Sequence, residues 1–277
     1  MRQMYRNFGR LLLTAVLIAF FAGIAGAAEE FPLRVKFPKL TPISTDELIA
    51  AFGKAIIVDV RSENEYDVVH IKEAKNILVG KMKEEDLLAL RSKNDSALLV
   101  FYCNGITCAK SYKAAEKAEG WGFANVRVYD AGIFTWSEKQ PEKSLFFGKP
   151  LTAETVKTSL ISDDKFNAVL LKTVDFIAKA KGDQYSVIDI RDPNERSEQP
   201  IRLPKLKVLA FDVLVDQIEK KSAAVPRSGL LILDNVGKQV DWLQYYLEKE
   251  GIKNYYFLSG GVAQWLKDGY DPAGVKK

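Results

Sequence analysis

The stretch ALLVFYCNGITC, residues 97–108, places an apolar run directly before a loop that holds both cysteines of the chain. The run ALLVFY has the length and composition of a strand that is buried on both faces of a sheet. Residues 108–120, CAKSYKAAEKAEG, then show the Ala, Lys and Glu content of a helix with a stop signal at Gly120. A buried strand, a short loop and a helix in this order predict an α/β protein with a parallel sheet.

The same alternation of strand and helix occurs twice in the chain. IIVDVRSENEY at 56–66 is similar to SVIDIRDPNER at 186–196, with an offset of 130. AGIFTW at 131–136 is similar to GGVAQW at 260–265, with an offset of 129. A repeat of this length indicates duplicated domains and not a solenoid of short repeats.

We therefore predict two tandem units, each a parallel sheet with helices on both faces. The first unit is assigned to residues 40–145 and the second to residues 160–277. Residues 137–165, which include Pro141, Pro150 and the polar stretch EKQPEKS, are predicted to connect the two units.

Residues 1–28 have the three-part layout of a secretory signal peptide. A positively charged start with Arg2, Arg6 and Arg10 precedes the apolar run LLLTAVLIAFFA and a small-residue stretch with a candidate cleavage site. An uncleaved helix that anchors the chain in the inner membrane is the alternative, since residues 11–28 carry no charge. In either case we expect the body of the protein outside the cytoplasm, periplasmic or secreted.

The composition is that of an ordinary globular protein, with 47% hydrophobic and 27% charged residues, which excludes a collagen-like or wholly disordered chain. The net charge of +4 falls mostly on the N-terminal segment: 40 Lys and Arg residues less its three arginines leave 37 cations against 36 anions. A near-neutral body argues against a nucleic-acid partner, which would require a clustered basic surface.

The cysteine loop is the strongest candidate for a reactive site. Cys103 follows a strand and precedes a helix, and α/β proteins place their sites at the carboxyl edge of a parallel sheet. The unpaired N–H groups and partial positive charge of a helix N-terminus lower the pKa of a thiol and raise its reactivity near neutral pH. Gly105 allows the backbone to curl so that several N–H groups point inward, which forms a cradle for an anion or a charged sulfur.

These features resemble the rhodanese (sulfurtransferase) family in its tandem-domain form with an inactive second domain. The resemblance covers nearly all of residues 40–277 and rests on IIVDVR with its ENEY helix, HIKEAKNI at 70–77, YCNGITC after a strand, and AGIFTW. It implies that Cys103 takes up sulfane sulfur as a persulfide, from a small sulfur-containing anion or a persulfide donor, and passes it to a thiol or cyanide acceptor without a cofactor. The substrate-binding residues that it implies are Arg61, Asn104, Gly105, Ile106, Thr107, Cys108 and Ala109.

The loop departs from many thiosulfate-using members of that family, because positions 104–108 hold no cation and Cys108 occupies a position that is often Arg. Lys110 is the nearest cation along the chain. A persulfide, a polysulfide or a protein donor is therefore at least as well supported as thiosulfate. Related phosphatases on this scaffold have a loop one residue longer with Arg at its seventh position. This chain has Ala109 there, so a transferring phosphoryl group would lack its charge clamp.

The second unit lacks the nucleophile, because its matching loop is DNVGKQ, residues 234–239, and Asp234 stands in place of Cys103. A carboxylate cannot hold a persulfide, and its charge would repel an anionic donor. We expect this unit to support the first by packing and to wall one side of the active cleft. Two other hypotheses stay open: a carrier that delivers persulfide sulfur to a periplasmic or membrane partner without turnover, and an inactive scaffold with Cys103 and Cys108 oxidised.

Cys108 is a candidate resolving thiol. It would attack a persulfide on Cys103, form a disulfide and release sulfide, in a compartment that permits disulfides. Packing at the helix start and a static disulfide with Cys103 are the alternatives. Two cysteines and one distant histidine exclude a zinc site of the usual kind.

Several other conspicuous residues are predicted to be structural. His70, the only histidine of the chain, is one of them, although its ordinary pKa would suit a general base. Asp59 and Asp189 are expected to hold loops in place by hydrogen bonds. The aromatic residues expected in the core are Trp136, Trp265, Tyr245 and Tyr246.

Overall fold

The computed structural model describes residues 31–152, 154–155 and 160–277, so the predicted signal segment 1–28 lies outside the described residues. Within the described ranges, no helix has the length and apolar character that crossing a membrane requires.

The first half of the chain (residues 31–152) is built on a parallel sheet with the strand order β3-β1-β4-β5. Its strands are β1 Ile56–Asp59, β2 Val69–Ile71, β3 Lys75–Asn76, β4 Leu99–Tyr102, β5 Val126–Tyr129, β6 Ser144–Phe146 and β7 Lys149–Pro150. Its helices are α1 Thr45–Ala51, α2 Glu63–Val68, α3 Glu84–Leu88, α4 Lys110–Gly120 and α5 Gly132–Lys139, followed by a 3-10 turn at Pro141–Lys143.

The second half (residues 160–277) repeats this plan in a parallel sheet of order β10-β9-β11-β12-β8. Its strands are β8 Leu170–Leu171, β9 Ser186–Asp189, β10 Lys207–Val208, β11 Ser228–Leu233 and β12 Lys253–Leu258. Its helices are α6 Asp163–Asn167, α7 Thr173–Ala180, α8 Pro193–Glu198, α9 Phe211–Glu219, α10 Gln239–Lys249 and α11 Gly261–Lys267. The predicted α/β class, with parallel sheets flanked by helices, is confirmed.

The two central strands of each sheet pair in matching register. Ile57 lies opposite Val100 in the first sheet, and Val187 lies opposite Leu231 in the second. All four residues of β4 are buried, because helices cover both faces of a parallel sheet. The loops that follow β4 and β11 therefore leave equivalent places at the carboxyl edges of their sheets.

The connector predicted at residues 137–165 holds more structure than its polar sequence indicates. Helix α5 continues to Lys139, and β6 then pairs antiparallel with β2, with Leu145 opposite His70. Leu151 is fully buried, and the predicted boundary at residue 145 falls inside β6. Strands of two or three residues are too short to show a period in the sequence, which is why the β2-β6-β7 sheet was not predicted.

The two halves meet through helix α2 of the first half and helices α9 and α10 of the second. The side-chain amide of Asn64 donates to Asp212 Oδ1 at 3.0 Å, and the Tyr246 hydroxyl donates to the Asn64 carbonyl at 2.9 Å. Val68 and Phe211 belong to one hydrophobic cluster that runs across both halves. This contact brings the start of α10 to the loop that contains Cys103.

Candidate active site

Cys103 lies in the loop between β4 and α4, residues 103–108, which we call the thiol loop. Its side chain is buried, and its sulfur lies 3.1 Å from the carbonyl oxygen of Cys108 and 3.3 Å from the hydroxyl of Ser111. Ile106 and Thr107 form the exposed outer edge of the loop. The sulfur therefore faces inward, toward polar groups of the loop and of the first turn of α4.

The thiol loop favours the ionised form of Cys103. Burial opposes ionisation, but hydrogen bonds from the side chains of Cys108 and Ser111 and from the backbone N–H groups of Ser111 and Gly105 outweigh it. The pKa of the Cys103 thiol is therefore lowered. The pKa of Cys108 is raised well above its ordinary value, because the Cys108 thiol is hydrogen-bonded to Cys103 and is buried. Cys103 is thus the thiol that ionises first, and Cys108 acts as its hydrogen-bond donor.

The residues predicted to form the cradle make different contacts in the structure. The Gly105 N–H is one of the groups that stabilise the thiolate, whereas the Cys108 N–H donates to the Gly105 carbonyl at 2.8 Å. Ala109 is the residue before α4 and carries no side-chain cap. Ser111, which sequence reasoning missed, supplies both a hydroxyl and a backbone N–H. Its position three residues after Cys108, in the first helical turn, was the available signal.

The first turn of helix α5 holds the thiol loop through a hydrogen bond and a close backbone contact. The Ile133 N–H donates to the Cys103 carbonyl at 3.0 Å. Gly132 has a φ of 70°, and a Cβ at this position would lie 2.5 Å from Asn104 C and from Gly105 N. An alanine here would overlap the loop backbone, so the close approach requires glycine.

Arg61 lies beside the thiol loop, but its guanidinium is bound by protein groups. It is fully buried and pairs with Asp59, with Nη2 2.6 Å from Oδ2, and it donates to the Val69 carbonyl at 2.6 Å. Its Nη1 lies 3.3 Å from Asn104 Oδ1. Asp59 also accepts the Arg61 backbone N–H, as expected for a carboxylate that holds a loop. In this geometry Arg61 positions Asn104, and contact with a substrate anion stays a prediction.

Asn104, the residue after the nucleophile, connects the thiol loop to the second half. Its Oδ1 accepts a hydrogen bond from Trp242 Nε1 at 2.7 Å, and its Nδ2 donates to Glu65 Oε1 at 2.8 Å. Glu65 Oε2 in turn accepts from Gln239 Nε2 at 3.0 Å. Sequence reasoning missed Trp242 and Gln239, because a contact between halves leaves no local pattern.

Lys110, the nearest cation along the chain, faces the second half. It is buried, and its Nζ lies 2.9 Å from Asp192 Oδ2. Burial lowers its pKa, but the nearby carboxylates of Glu195, Glu65 and Asp192 outweigh burial and raise the pKa well above its ordinary value. The Lys110 charge is thus compensated by acidic side chains, which are drawn mainly from the second half.

In the matching loop of the second half, residues 234–239, the backbone N–H groups bind the carboxylate of Asp234, a residue of the same loop. Asp234 is fully buried, and its carboxylate accepts from the backbone N–H groups of Gly237 at 2.6 Å and of Lys238 and Gln239 at 2.7 Å. Burial raises the pKa of Asp234, while these amides act in the opposite direction. Gly261 takes the place of Gly132, since a Cβ on it would lie 2.6 Å from the backbone of this loop.

The other predicted residues have structural contacts. His70 Nδ1 lies 2.7 Å from the Tyr66 carbonyl, its ring stacks on Tyr66 at 3.6 Å, and burial lowers its pKa. Cys103 and Cys108 are both free thiols in this structure. In the part of the chain that the structure describes, no cluster of His, Cys, Asp and Glu could hold a metal ion. Trp136 and Trp265 are fully buried, as predicted.

Comparison with known proteins places a family match on the first half. Residues 44–139 match the model of the Rhodanese-like domain. The chain is 27% identical over 128 residues to the uncharacterized protein YibN of Escherichia coli K12, covering 46% of this chain and 79% of that protein. It is also 27% identical over 128 residues to the probable adenylyltransferase/sulfurtransferase MoeZ of Mycobacterium tuberculosis, of which it spans 31%. A solved thiosulfate sulfurtransferase from Pseudomonas aeruginosa is similar at 18% identity with a TM-score of 0.36, covering 86% of this chain and 44% of that one. The chain therefore contains a rhodanese-like domain with relatives in the sulfurtransferase family.

Proposed function

We propose that this protein is a sulfurtransferase that carries sulfane sulfur on Cys103 as a persulfide. The observation that carries the proposal is the environment of the Cys103 sulfur, which lies 3.3 Å from the Ser111 hydroxyl and whose pKa is lowered by hydrogen bonds from Cys108, Ser111 and the Gly105 N–H. The rhodanese-like domain at residues 44–139 supports the same chemistry.

The proposed reaction has two steps. The Cys103 thiolate first attacks the outer sulfur of the donor, the sulfur–sulfur bond of the donor breaks, and the rest of the donor leaves with the electron pair. The acceptor then attacks the outer sulfur of the persulfide, and Cys103 leaves as a thiolate. Such covalent catalysis predicts ping-pong kinetics. We expect the donors that stabilise the thiolate, Ser111 and Gly105 among them, to stabilise a persulfide anion as well.

The charges near the thiol loop favour a persulfide as the donor over thiosulfate. The loop itself holds no cation, and the buried Lys110 is paired with Asp192. Recognition of a small anion would therefore depend on backbone N–H groups and hydroxyls, which suits a singly charged sulfur better than a doubly charged one. A thiol or cyanide is the proposed acceptor.

We further propose that residues 160–277 form a second rhodanese-like unit without a nucleophile. Three features support this: the corresponding strand order, the Asp189–Arg191 ion pair that matches Asp59–Arg61, and Asp234 in place of Cys103. Export is part of the proposal and is supported by the signal-like residues 1–28, which lie outside the described residues.

A persulfide carrier without turnover is the second candidate. The side chain of Cys103 is only 1% exposed, and such burial would protect a bound sulfur from solvent and slow its release to small acceptors. A carrier and an enzyme would load sulfur alike but differ in turnover.

The test measures loading and turnover on the same samples. Reduced protein is incubated with thiosulfate or polysulfide, its intact mass is recorded, and thiocyanate is then measured after cyanide is added. The enzyme gains one sulfur atom and turns over repeatedly, whereas the carrier gains the sulfur and releases it once. Cys103→Ser should abolish the gain, while Cys108→Ser, which keeps a hydroxyl donor, should load normally. A reduced protein that gains no sulfur from either donor contradicts both candidates.

A further inference from the structure

Two side chains of α10 reach across the contact between the halves toward the residue that follows Cys103. Trp242 donates to Asn104 Oδ1 at 2.7 Å, and the two residues are 3% and 2% exposed. Gln239 donates to Glu65, whose other oxygen accepts from the Asn104 amide at 2.8 Å. The thiol loop is therefore hydrogen-bonded to the second half at its second residue, in a place that is closed to solvent.

These bonds fix the Asn104 amide in one orientation. Its oxygen receives donors from Trp242 and Arg61, and its nitrogen faces the Glu65 carboxylate. Rotating the amide by half a turn would place its NH2 group against the Trp242 and Arg61 donors and its oxygen against the Glu65 carboxylate. The Asn104 backbone is held as well, because its carbonyl accepts the Phe134 N–H at 3.5 Å, and the Phe134 ring stacks on Trp242 with centroids 4.5 Å apart.

The duplication gives a second observation that points to Trp242. Strand register matches Val100 with Leu231, and the same offset matches Ser111 with Trp242. In the first half this position carries the hydroxyl that faces Cys103. In the second half it carries an indole whose N–H is directed to the loop of the other half.

We infer that Trp242 and Gln239 are positioning residues, which hold Asn104 so that the adjoining Gly105 N–H stays directed at the Cys103 sulfur. The second half thus completes the reactive site of the first and does not serve only as a packing partner. The inference rests on the proposed role of Cys103 as the reactive thiol.

The test compares three variants of the full chain that each remove one hydrogen bond made by α10. Trp242→Phe removes the indole N–H and keeps an aromatic ring against Phe134. Gln239→Met removes the donor to Glu65. Tyr246→Phe is the matched control, since its hydroxyl also bonds across the halves, to the Asn64 carbonyl at 2.9 Å, but away from the thiol loop. The readout is the rate of Cys103 alkylation by iodoacetamide against pH, with peptide mapping to separate Cys103 from Cys108.

We expect Trp242→Phe to raise the pH midpoint of Cys103 alkylation by about half a unit, which is roughly a threefold slower reaction below the midpoint. Gln239→Met should also raise the pH midpoint of Cys103 alkylation. This variant tests the inference if Trp242→Phe does not fold. Tyr246→Phe should lower the thermal midpoint but leave the pH midpoint unchanged. An equal shift in Tyr246→Phe, or no shift in the other two variants, would overturn the inference. Alkylation needs no sulfur donor, so a failure of sulfur transfer cannot produce either result.

Discussion

Replacing Gly132 by alanine should disable the thiol loop with little change elsewhere. The new Cβ would lie 2.5 Å from Asn104 C and Gly105 N, whereas carbon atoms in contact prefer about 3.5–4.0 Å. The loop backbone would therefore have to move by about 1 Å. The φ of 70° adds a penalty of about 1–2 kcal/mol for any residue with a Cβ.

Overlap in a packed region typically adds about 1–3 kcal/mol, so we expect Gly132→Ala to lose about 2–5 kcal/mol of unfolding free energy. The consequence for chemistry is larger, since a displacement of about 1 Å at a reacting group can cost on the order of 100-fold in rate. Urea unfolding measures the first quantity, and the rate of persulfide formation per folded molecule measures the second.

Two glycines of the chain provide matched controls. Gly261→Ala creates the same overlap in the second half, 2.6 Å from Asn235 C, and should lose similar stability but much less of the rate per folded molecule, because the thiol loop itself is not displaced. Gly53 has a φ of 79° with open space around its Cβ, so Gly53→Ala should lose only about 1–2 kcal/mol. If Gly132→Ala kept the wild-type rate, or if Gly261→Ala lost as much rate as Gly132→Ala, the reasoning would be refuted.

Three further substitutions test separate parts of the account. Ser111→Ala removes one hydroxyl donor and should raise the pKa of Cys103 by about half to one unit, seen in the pH dependence of alkylation; an unchanged profile contradicts it. Asp59→Asn leaves the buried Arg61 guanidinium without its carboxylate and should lose about 3–5 kcal/mol in urea unfolding; a loss well below 1 kcal/mol would show that the pair is dispensable. Burial raises the pKa of Asp241 from 3.8 to about 6, so its contribution to stability is present below the unfolded pKa and is lost as pH rises through about 6. Asp241→Asn should therefore gain stability over the wild type between about pH 4.5 and about pH 7.5, and a constant difference across this range would refute the assignment.

The central strands and the thiol loop could be predicted from the sequence, because apolar runs of four to six residues followed by a cysteine loop and an Ala-rich helix are local patterns. Strand β4, Leu99–Tyr102, lies within the apolar run 97–102 that predicts it. The hairpin β6–β7 could not be found in this way, since its pairing with β2 is set by tertiary contact and not by sequence period.

The candidate site shows the same division between local and distant information. Cys103 follows from the sequence, whereas Trp242 and Gln239 lie more than 130 residues away along the chain and reach the site through the packing of α10. The internal repeat indicates that the role of Arg61 is structural. Arg191 occurs after Asp189 in the half that lacks a nucleophile, and it makes the same ion pair at 2.7 Å. A residue pair that also occurs in the half without a cysteine points to a structural role.

The most direct test of the central claim is to locate the transferred sulfur. Reduced wild-type protein is incubated with polysulfide, digested under conditions that preserve persulfides, and analysed by peptide mass spectrometry that separates Cys103 from Cys108. We predict one additional sulfur on Cys103, removed by cyanide, and none on Cys108. Additional sulfur on Cys108 alone would contradict this prediction. So would a Cys103 that gains no sulfur although iodoacetamide shows that its thiol is free and accessible.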